Sequence, residues 1–399
     1  MMPAECGGAT GDSGLELSVV MPCLNEADTL ETCVEKAMRA MREAGIAGEV
    51  IVADNGSTDG SQAIATRLGA RVVPVTARGY GNALMGGIAA ARGRYVLMGD
   101  ADDSYDFLEV PKFVEKLRQG YQLVQGCRLE TGGGRVLPGA MPFLHRWWGN
   151  PMFSFLARLM FWAPIHDVYC GMRGFTKEFY QRLDQRCTGM EFAVEMIIKS
   201  SIHAAEQIAE VPITLHPDGR KAHAPHLKTF RDGWRTLRFL LLYSPRWLFL
   251  YPGAILMISG LVLSALLLTG PKTIRGVTFE VHTLLYAALA VIIGFQAATF
   301  SVFTKMFAIG ERLLPEDPRL NRLFTVVTLE KGLIAGAVLL LAGLGGSLYA
   351  LQGWASAEFG PLDRATTLRL VIPSAVAMVL GIQVILASFF TSVLGLRRR

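Results

Sequence analysis

Apolar and polar positions divide this chain into two unlike parts. In the first, short β-branched runs at 17–22, 49–54, 71–75 and 95–100 alternate with stretches of helical periodicity near 27–44, 59–68 and 80–92. Such alternation predicts parallel strands with helices on both faces, and a ligand site beyond the carboxyl ends of the strands. The second part consists of four apolar stretches, roughly 247–269, 283–309, 332–351 and 368–394. Each approaches or exceeds the ~20 residues that a helix needs to span ~30 Å of hydrocarbon. Four in succession, with Gly, Ala and Ser scattered through them, predict a membrane anchor rather than a buried core.

Between the two parts, residues 228–243 place Phe230, Trp234, Leu237 and Leu241 at helical spacing beside Arg235 and Arg238. A basic, aromatic helix of this kind is expected to lie in a membrane interface. The expected organisation is therefore a disordered tail at 1–14, an α/β domain at 15–220, juxtamembrane helices at 221–246 and a four-helix transmembrane domain at 247–399.

Composition supports this division. At 399 residues the chain exceeds a single core, and its 51% hydrophobic and 18% charged residues average two unlike halves. The net charge of +5 is modest and its basic residues gather at the membrane junction, so a nucleic acid polymer is not an expected partner. Cys6, Cys23, Cys33, Cys127, Cys170 and Cys187 show no zinc-like spacing and read as free thiols of a reducing cytosol. The first residues have neither a basic start nor an apolar run, so no signal peptide is expected there. Lys and Arg concentrate in the 310–331 loop (Arg312, Arg319, Arg322, Lys331) and at Arg397, Arg398 and Arg399, against Lys272, Arg275 and Arg364 in the other loops. The positive-inside rule then puts the C-terminus in the cytosol, and an even number of spans puts the N-terminal domain there too, in a multi-pass protein of the cell membrane. Lys305, near a helix end, is expected to snorkel.

Candidate chemistry lies at the strand ends. Asn25 and Glu26 follow Pro22 after the first run, Asp54 to Gly60 follow the second, and Asp100-Ala101-Asp102-Asp103 follow the fourth. Asp59 also reads as a helix cap. Asp100 and Asp102 form a short D-x-D turn whose hard carboxylate oxygens suit Mg²⁺ or Mn²⁺, ions that keep waters and bridge substrate phosphates. The glycines of 78–83 open a helix where free amides can face a diphosphate.

Taken together, V-V-M-P-C-L-N-E at 19–26, V-A-D-N-G-S-T-D-G-S at 52–61, R-G-Y-G-N-A-L at 78–84 and G-D-A-D-D-S at 99–104 resemble the family 2 glycosyltransferases. Within that family the resemblance is to dolichol-phosphate mannose and glucose synthases and their bacterial undecaprenyl-phosphate relatives, and it extends through 126–128, 167–174 and 189–195 over about residues 17–245. It implies a GT-A, Rossmann-like domain in which Pro22, Asn25, Glu26, Asn55, Ser57, Arg78, Gly79 and Ala101 line the nucleotide-sugar pocket, with Asp54 recognising the base. Asp100 and Asp102 would hold the metal, and Ser104 or water would complete its shell. Arg128, Arg146 and Arg158 would flank a flexible acceptor loop at 131–139 and, with Arg220, bind the acceptor phosphate; His223 falls in the same basic segment. Asp100, Asp102 and Arg128 are the expected catalytic residues, while Asp103, Glu191 or Glu195 could orient the sugar.

The implied reaction is inverting transfer of a hexose from a UDP- or GDP-linked sugar to a polyprenyl phosphate. A processive polysaccharide synthase is one alternative, but its Q-x-x-R-W is not supplied by 181–186 or by Trp234-Arg235. A non-catalytic sugar-nucleotide sensor of a membrane carrier is another, and spans almost free of ionisable residues argue against it.

Overall fold

The computed structural model describes residues 14–220, 229–311, 313–318, 320, 322 and 328–396. Cys6, His223, Lys228, Arg312, Arg319, Arg397, Arg398 and Arg399 lie outside the described residues, as does the expected tail up to residue 13. The chain forms two compact units, Met1–Leu240 and Leu241–Arg399.

In the first unit β1 (Leu17–Cys23), β2 (Gly48–Asp54), β3 (Arg71–Pro74) and β4 (Tyr95–Met98) lie in the order β3-β2-β1-β4, all parallel. They are joined by α1 (Leu30–Glu43), α2 (Ser61–Arg67) and α3 (Tyr80–Ala90). Leu17, Val19, Val20 and Met21 of β1 are fully buried, because a parallel strand covered on both faces needs a continuous apolar run rather than an alternating one.

The remainder departs from a purely parallel sheet. After α4 (Val110–Arg118), β5 (Leu123–Cys127), the short β6 (Arg135–Val136) and α5 (Asn150–Phe161), the chain enters β7 (Arg173–Thr176). β7 lies between β4 and β5 and is antiparallel to both, with Gly174 opposite Leu97 and Val124. A connection that leaves β5 and re-enters at the same edge of the sheet forces this reversal. Then follow α6 (Lys177–Leu183), α7 (Phe192–Ala204), β8 (Ile208–Pro212) parallel to β5, β9 (Thr214–Leu215) paired with β6, and α8 (Thr229–Tyr243). On α8, Phe230 and Trp234 are exposed, while Leu240 is buried.

Arg173 is the largest fully buried side chain. Its guanidinium donates to the carbonyls of Cys170, Val168 and Ala193, and burial lowers its pKa. The entry into β7 and the start of α7 thus share one donor cluster, which gives the buried guanidinium the acceptors its burial requires.

In the second unit four helices are long and apolar enough to cross a membrane among the described residues. They are α9 (Tyr251–Leu268, continued from a π turn at Arg246–Leu250), α10 (Val281–Gly310), α11 (Leu329–Ser356) and α12 (Arg364–Leu396). A hairpin of β10 (Lys272–Ile274) and β11 (Val277–Phe279) joins α9 to α10. Small residues set the closest approaches: a Cβ on Gly253 would stand 2.8 Å from the Gly294 carbonyl, and one on Gly336 would stand 2.8 Å from the Gly381 carbonyl. Such contacts suit helices in lipid, where close backbone packing replaces the hydrophobic drive. Lys305 pairs with Asp317, which also lies 3.1 Å from Arg246.

Gly336→Leu is expected to force α11 from α12 and cost roughly 1–3 kcal/mol by overpacking. Gly345→Leu, where a Cβ meets nothing within 4 Å, is the neutral control. Thermal unfolding of the detergent-held full chain should separate the two variants.

Candidate active site

The carboxyl ends of β1 and β2 carry loops that lock together through polar side chains. Asn25 adopts φ 60°, a left-handed conformation that Asn tolerates better than most residues. Its N–H donates to Ser57 Oγ at 3.0 Å, and its Oδ1 accepts from Thr58 N at 2.8 Å. Glu26 N donates to Ser61 Oγ, while Asp59 accepts from Ala27 N and Ser61 N. The N-cap of α2 is Gly60 rather than Asp59, and Asp59, one residue earlier, ties the start of the helix to the β1 loop.

Asp54 is 2% exposed and accepts from Gly56 N, Ser57 N and, at 2.6 Å, from Gln62 Nε2. Pro22 and Ala53 are register partners one step before it. Asn55 accepts from Gly79 N and donates to the carbonyls of Val75 and Ala77, drawing 75–79 onto the end of β2. Gly79 has φ 134°, and a Cβ there would stand 2.5 Å from the Thr188 carbonyl. Gly81 likewise leaves no room for a Cβ against the backbone of Cys187 and Thr188, and Asn82 N donates to Thr188 O. The close approach expected of these glycines toward a diphosphate is thus made, in this structure, to the 187–188 backbone. Arg78 beside them is exposed.

The D-x-D turn follows β4. Asp100 Oδ1 accepts from the Tyr80 hydroxyl at 2.9 Å. Burial, and then repulsion from Asp102, push the Asp100 carboxyl up to about 6. Asp102 Oδ1 accepts from Ser104 Oγ at 2.5 Å and Ser104 N at 3.1 Å, and its Oδ2 lies 3.3 Å from the Arg220 guanidinium. Ala101 is buried and its carbonyl accepts from Thr29 Oγ1. Asp103 turns away at φ 59° to pair with Lys36 at 2.7 Å and so braces the turn. Two carboxylates this close, one of them resisting ionisation, form a donor set that a divalent cation would relieve.

The reversed β7 adds its leading edge to this site. A Cβ on Gly171 would stand 2.8 Å from Asp100 Oδ2 and 3.1 Å from the Tyr105 hydroxyl, which accepts from Gly171 N. Arg128, at the end of β5 and 7% exposed, binds both oxygens of fully buried Asp167 at 2.7 and 2.9 Å, and its third nitrogen donates to Tyr105. Arg220, after β9, grips Glu26 and touches Asp102 and Asp218. Sequence reasoning thus missed Tyr80, Tyr105, Asp167, Gly171 and Asp218, although Tyr80, Asp167 and Gly171 stand inside the motifs it quoted.

Arg146 and Arg158 are not joined to this cluster by any described contact. Arg146 pairs with Glu130 and lies 5.3 Å over Trp147, and Arg158 is exposed on α5. The 131–139 stretch, expected as a flexible loop, is held at 135–137 because Arg135 N and Leu137 N donate to Ile213 O and Leu215 O. Glu195 is fully buried and accepts from Arg186 N and Cys187 N while pairing with Lys199 at 2.8 Å, so it shapes the 186–188 segment. Glu191 lies 3.7 Å from Arg235. Cys23, Cys33, Cys127, Cys170 and Cys187 are free thiols.

Residues 18–184 match the model of glycosyl transferase family 2, and residues 302–395 match that of the family 2 C-terminal transmembrane region. Low-salt glycan biosynthesis hexosyltransferase Agl6 of Haloferax volcanii is 37% identical over 97% of this chain and 91% of its own length. A dolichyl-phosphate hexose transferase of the same organism is 32% identical over 55% of this chain and 89% of its own. Among solved structures, glucosyl-3-phosphoglycerate synthase of Mycobacterium tuberculosis with Mn²⁺, uridine diphosphate and phosphoglyceric acid is 23% identical, covering 58% of this chain and 78% of that one at a TM-score of 0.45.

Asp167→Ala should leave Arg128 buried without its counter-ion and lower stability by about 3–5 kcal/mol. Adding Arg128→Met should recover part of that loss, and a double-mutant cycle of melting temperatures measures the coupling.

Proposed function

Because this chain belongs to glycosyltransferase family 2, we propose that it transfers a hexose, with inversion, from a UDP- or GDP-linked sugar to a polyprenyl phosphate at the cytosolic face of the membrane. The observation that carries this reading is the Asp100–Asp102 carboxylate pair at the carboxyl edge of a buried strand, with Arg128 and Arg220 beside it, in a chain that also bears four membrane-length helices. The lipid acceptor is further supported by likeness to a dolichyl-phosphate hexose transferase. The cytosolic face rests on the distribution of Lys and Arg between the spans.

In this proposal Pro22, Asn25, Glu26, Asp54, Asn55, Ser57, Arg78, Gly79 and Ala101 form the nucleotide-sugar pocket, and Asp54 recognises the base while also holding its own loop. Asp100 and Asp102 are the protein ligands of Mg²⁺ or Mn²⁺, with water or Ser104 completing the shell. The cation, when bound, supplies charge that stabilises the departing nucleoside diphosphate. Arg128, Arg146 and Arg158 serve the acceptor phosphate, whose paired oxygens suit planar guanidinium forks, while Arg220, expected among them, stands instead at the D-x-D turn beside Asp102.

A phosphate monoester is already an anion near neutral pH, so it attacks the anomeric carbon without a general base. The bond to the diphosphate breaks as the new bond forms, which inverts the centre. The residues therefore act by holding two anionic reactants in line against their repulsion. Asp103 and Glu195 carry other bonds and are given no part in the chemistry.

Full-length protein supplied with radiolabelled nucleotide sugars is expected to label a polyprenyl phosphate extract. Labelled polymer without a lipid product would favour a processive synthase, and nucleotide affinity without turnover would favour a sensor. Asp102→Ala that folds normally should lose most activity, roughly 10²–10³-fold in turnover.

The site also predicts a pH dependence. Asp100 is raised from its ordinary 3.8 to about 6, so its stabilising contribution is full below 3.8 and is lost as pH rises through about 6. A cation needs the ionised form. The increase in melting temperature on adding Mn²⁺ is therefore expected to be small near pH 5 and to grow through about pH 7.

A further inference from the structure

Arg220 stands where its charge opposes the very cation that the carboxylates call for. Its Nε and Nη2 edge is bound side-on by Glu26, at 2.9 Å to Oε2 and 2.7 Å to Oε1. The same Nη2 lies 3.3 Å from Asp102 Oδ2, and Nη1 donates to Asp218 at 3.1 Å. Arg220 N is also tied to Asp218 Oδ1 at 2.7 Å, and the guanidinium lowers the charge cost at Asp100 as well. One cation thus faces Glu26, Asp102 and Asp218, with Asp100 adjacent.

We propose that Arg220 is a resident counter-ion of the D-x-D turn, which a divalent cation must displace from Asp102 and which then takes the diphosphate of the nucleotide sugar as its new partner. The proposal rests on the metal assignment made above and adds to it a coupling between two ligands. Metal alone meets a positive charge beside its ligand. Nucleotide diphosphate alone meets an excess of carboxylates. Each ligand removes the other's obstacle, because the cation takes over Asp102 while the diphosphate offers Arg220 an oxyanion to replace it. The two should therefore bind with positive, reciprocal cooperativity.

Glu26 keeps the exchange local. Its carboxylate is 6% exposed and holds the Nε and Nη2 edge of the guanidinium through two bonds, so the side chain can give up the longer Nη2 contact with Asp102 without leaving the site. In this scheme Glu26 acts through Arg220 and is a positioning residue.

The test is Mn²⁺ binding to the detergent-held full chain, followed by electron paramagnetic resonance of free Mn²⁺, with and without UDP or GDP. Wild type is expected to bind Mn²⁺ weakly alone and at least about fivefold more tightly with the fitting nucleoside diphosphate, within the usual range of such couplings. Arg220→Gln should bind Mn²⁺ alone more tightly than wild type and lose most of that enhancement. Arg220→Lys keeps the charge and should retain most of it, so the effect is read even if the glutamine variant fails to fold. Equal Mn²⁺ affinity in wild type and Arg220→Gln, or loss of the enhancement in a folded Arg220→Lys to the same degree as in Arg220→Gln, would overturn the exchange while leaving the metal site intact. No Mn²⁺ binding by wild type under any condition would overturn both the exchange and the metal assignment.

Discussion

Two carboxylates held in one turn, Asp100 and Asp102, are the constraint around which the catalytic unit is arranged. Like charges this close repel, and partial burial denies them water that would screen the repulsion. Every neighbour addresses that cost by a different means. Tyr80 donates a hydroxyl to Asp100, Ser104 donates both its N–H and Oγ–H to Asp102, and Arg220 brings a positive charge. Gly171 leaves space that any side chain would fill against Asp100. The turn is strained in charge as well as in backbone, where Asp103 sits at φ 59°, and the charge strain is of the sign that binding a cation would release.

The fold delivers these neighbours from distant parts of the chain, which decides what could be read in advance. β1 to β4 were legible because buried parallel strands are continuous β-branched runs, and the membrane helices because lipid demands long apolar stretches. β7 was not. Its sequence, Arg-Gly-Phe-Thr, opens with a charged residue and a glycine, yet Arg173 is fully buried because three backbone carbonyls receive its guanidinium. No periodicity announces a charged residue satisfied in that way. With β7 unseen, the antiparallel reversal was unseen, and with it the arrival of Gly171 at the edge occupied by Asp100.

The site residues divide along the same line. Asp54, Asn55, Ser57, Asp100 and Asp102 could be picked out as candidates because each sits at or within a few residues of the end of a recognisable strand. The pairings between distant residues were not legible, since Arg128 meets Asp167 across 39 residues and Arg220 meets Glu26 across 194. Spacing in sequence carries no trace of such meetings. Several residues proved busier than their types suggested: Asp54 and Asn55 build their own loops before they can meet a ligand, and Glu195 serves backbone amides and Lys199. A polar residue at a strand end announces that a loop is organised there, and only the bonds already made show what capacity is left.

Burial then separates the two arginines of the site by kind. The Arg128 fork closes on Asp167, whose side chain is 0% exposed, and breaking so desolvated a pair would strand an uncompensated charge. Arg220 instead spans a gradient, from Glu26 at 6% through Asp102 at 13% to Asp218 at 26%. Contacts toward the wet end of that gradient cost little to exchange, because water and an incoming anion can replace them. Arg128 is therefore suited to fix geometry and Arg220 to change partners, although both are guanidinium groups clasping carboxylates within one site. The distinction lies in how much water each carboxylate keeps.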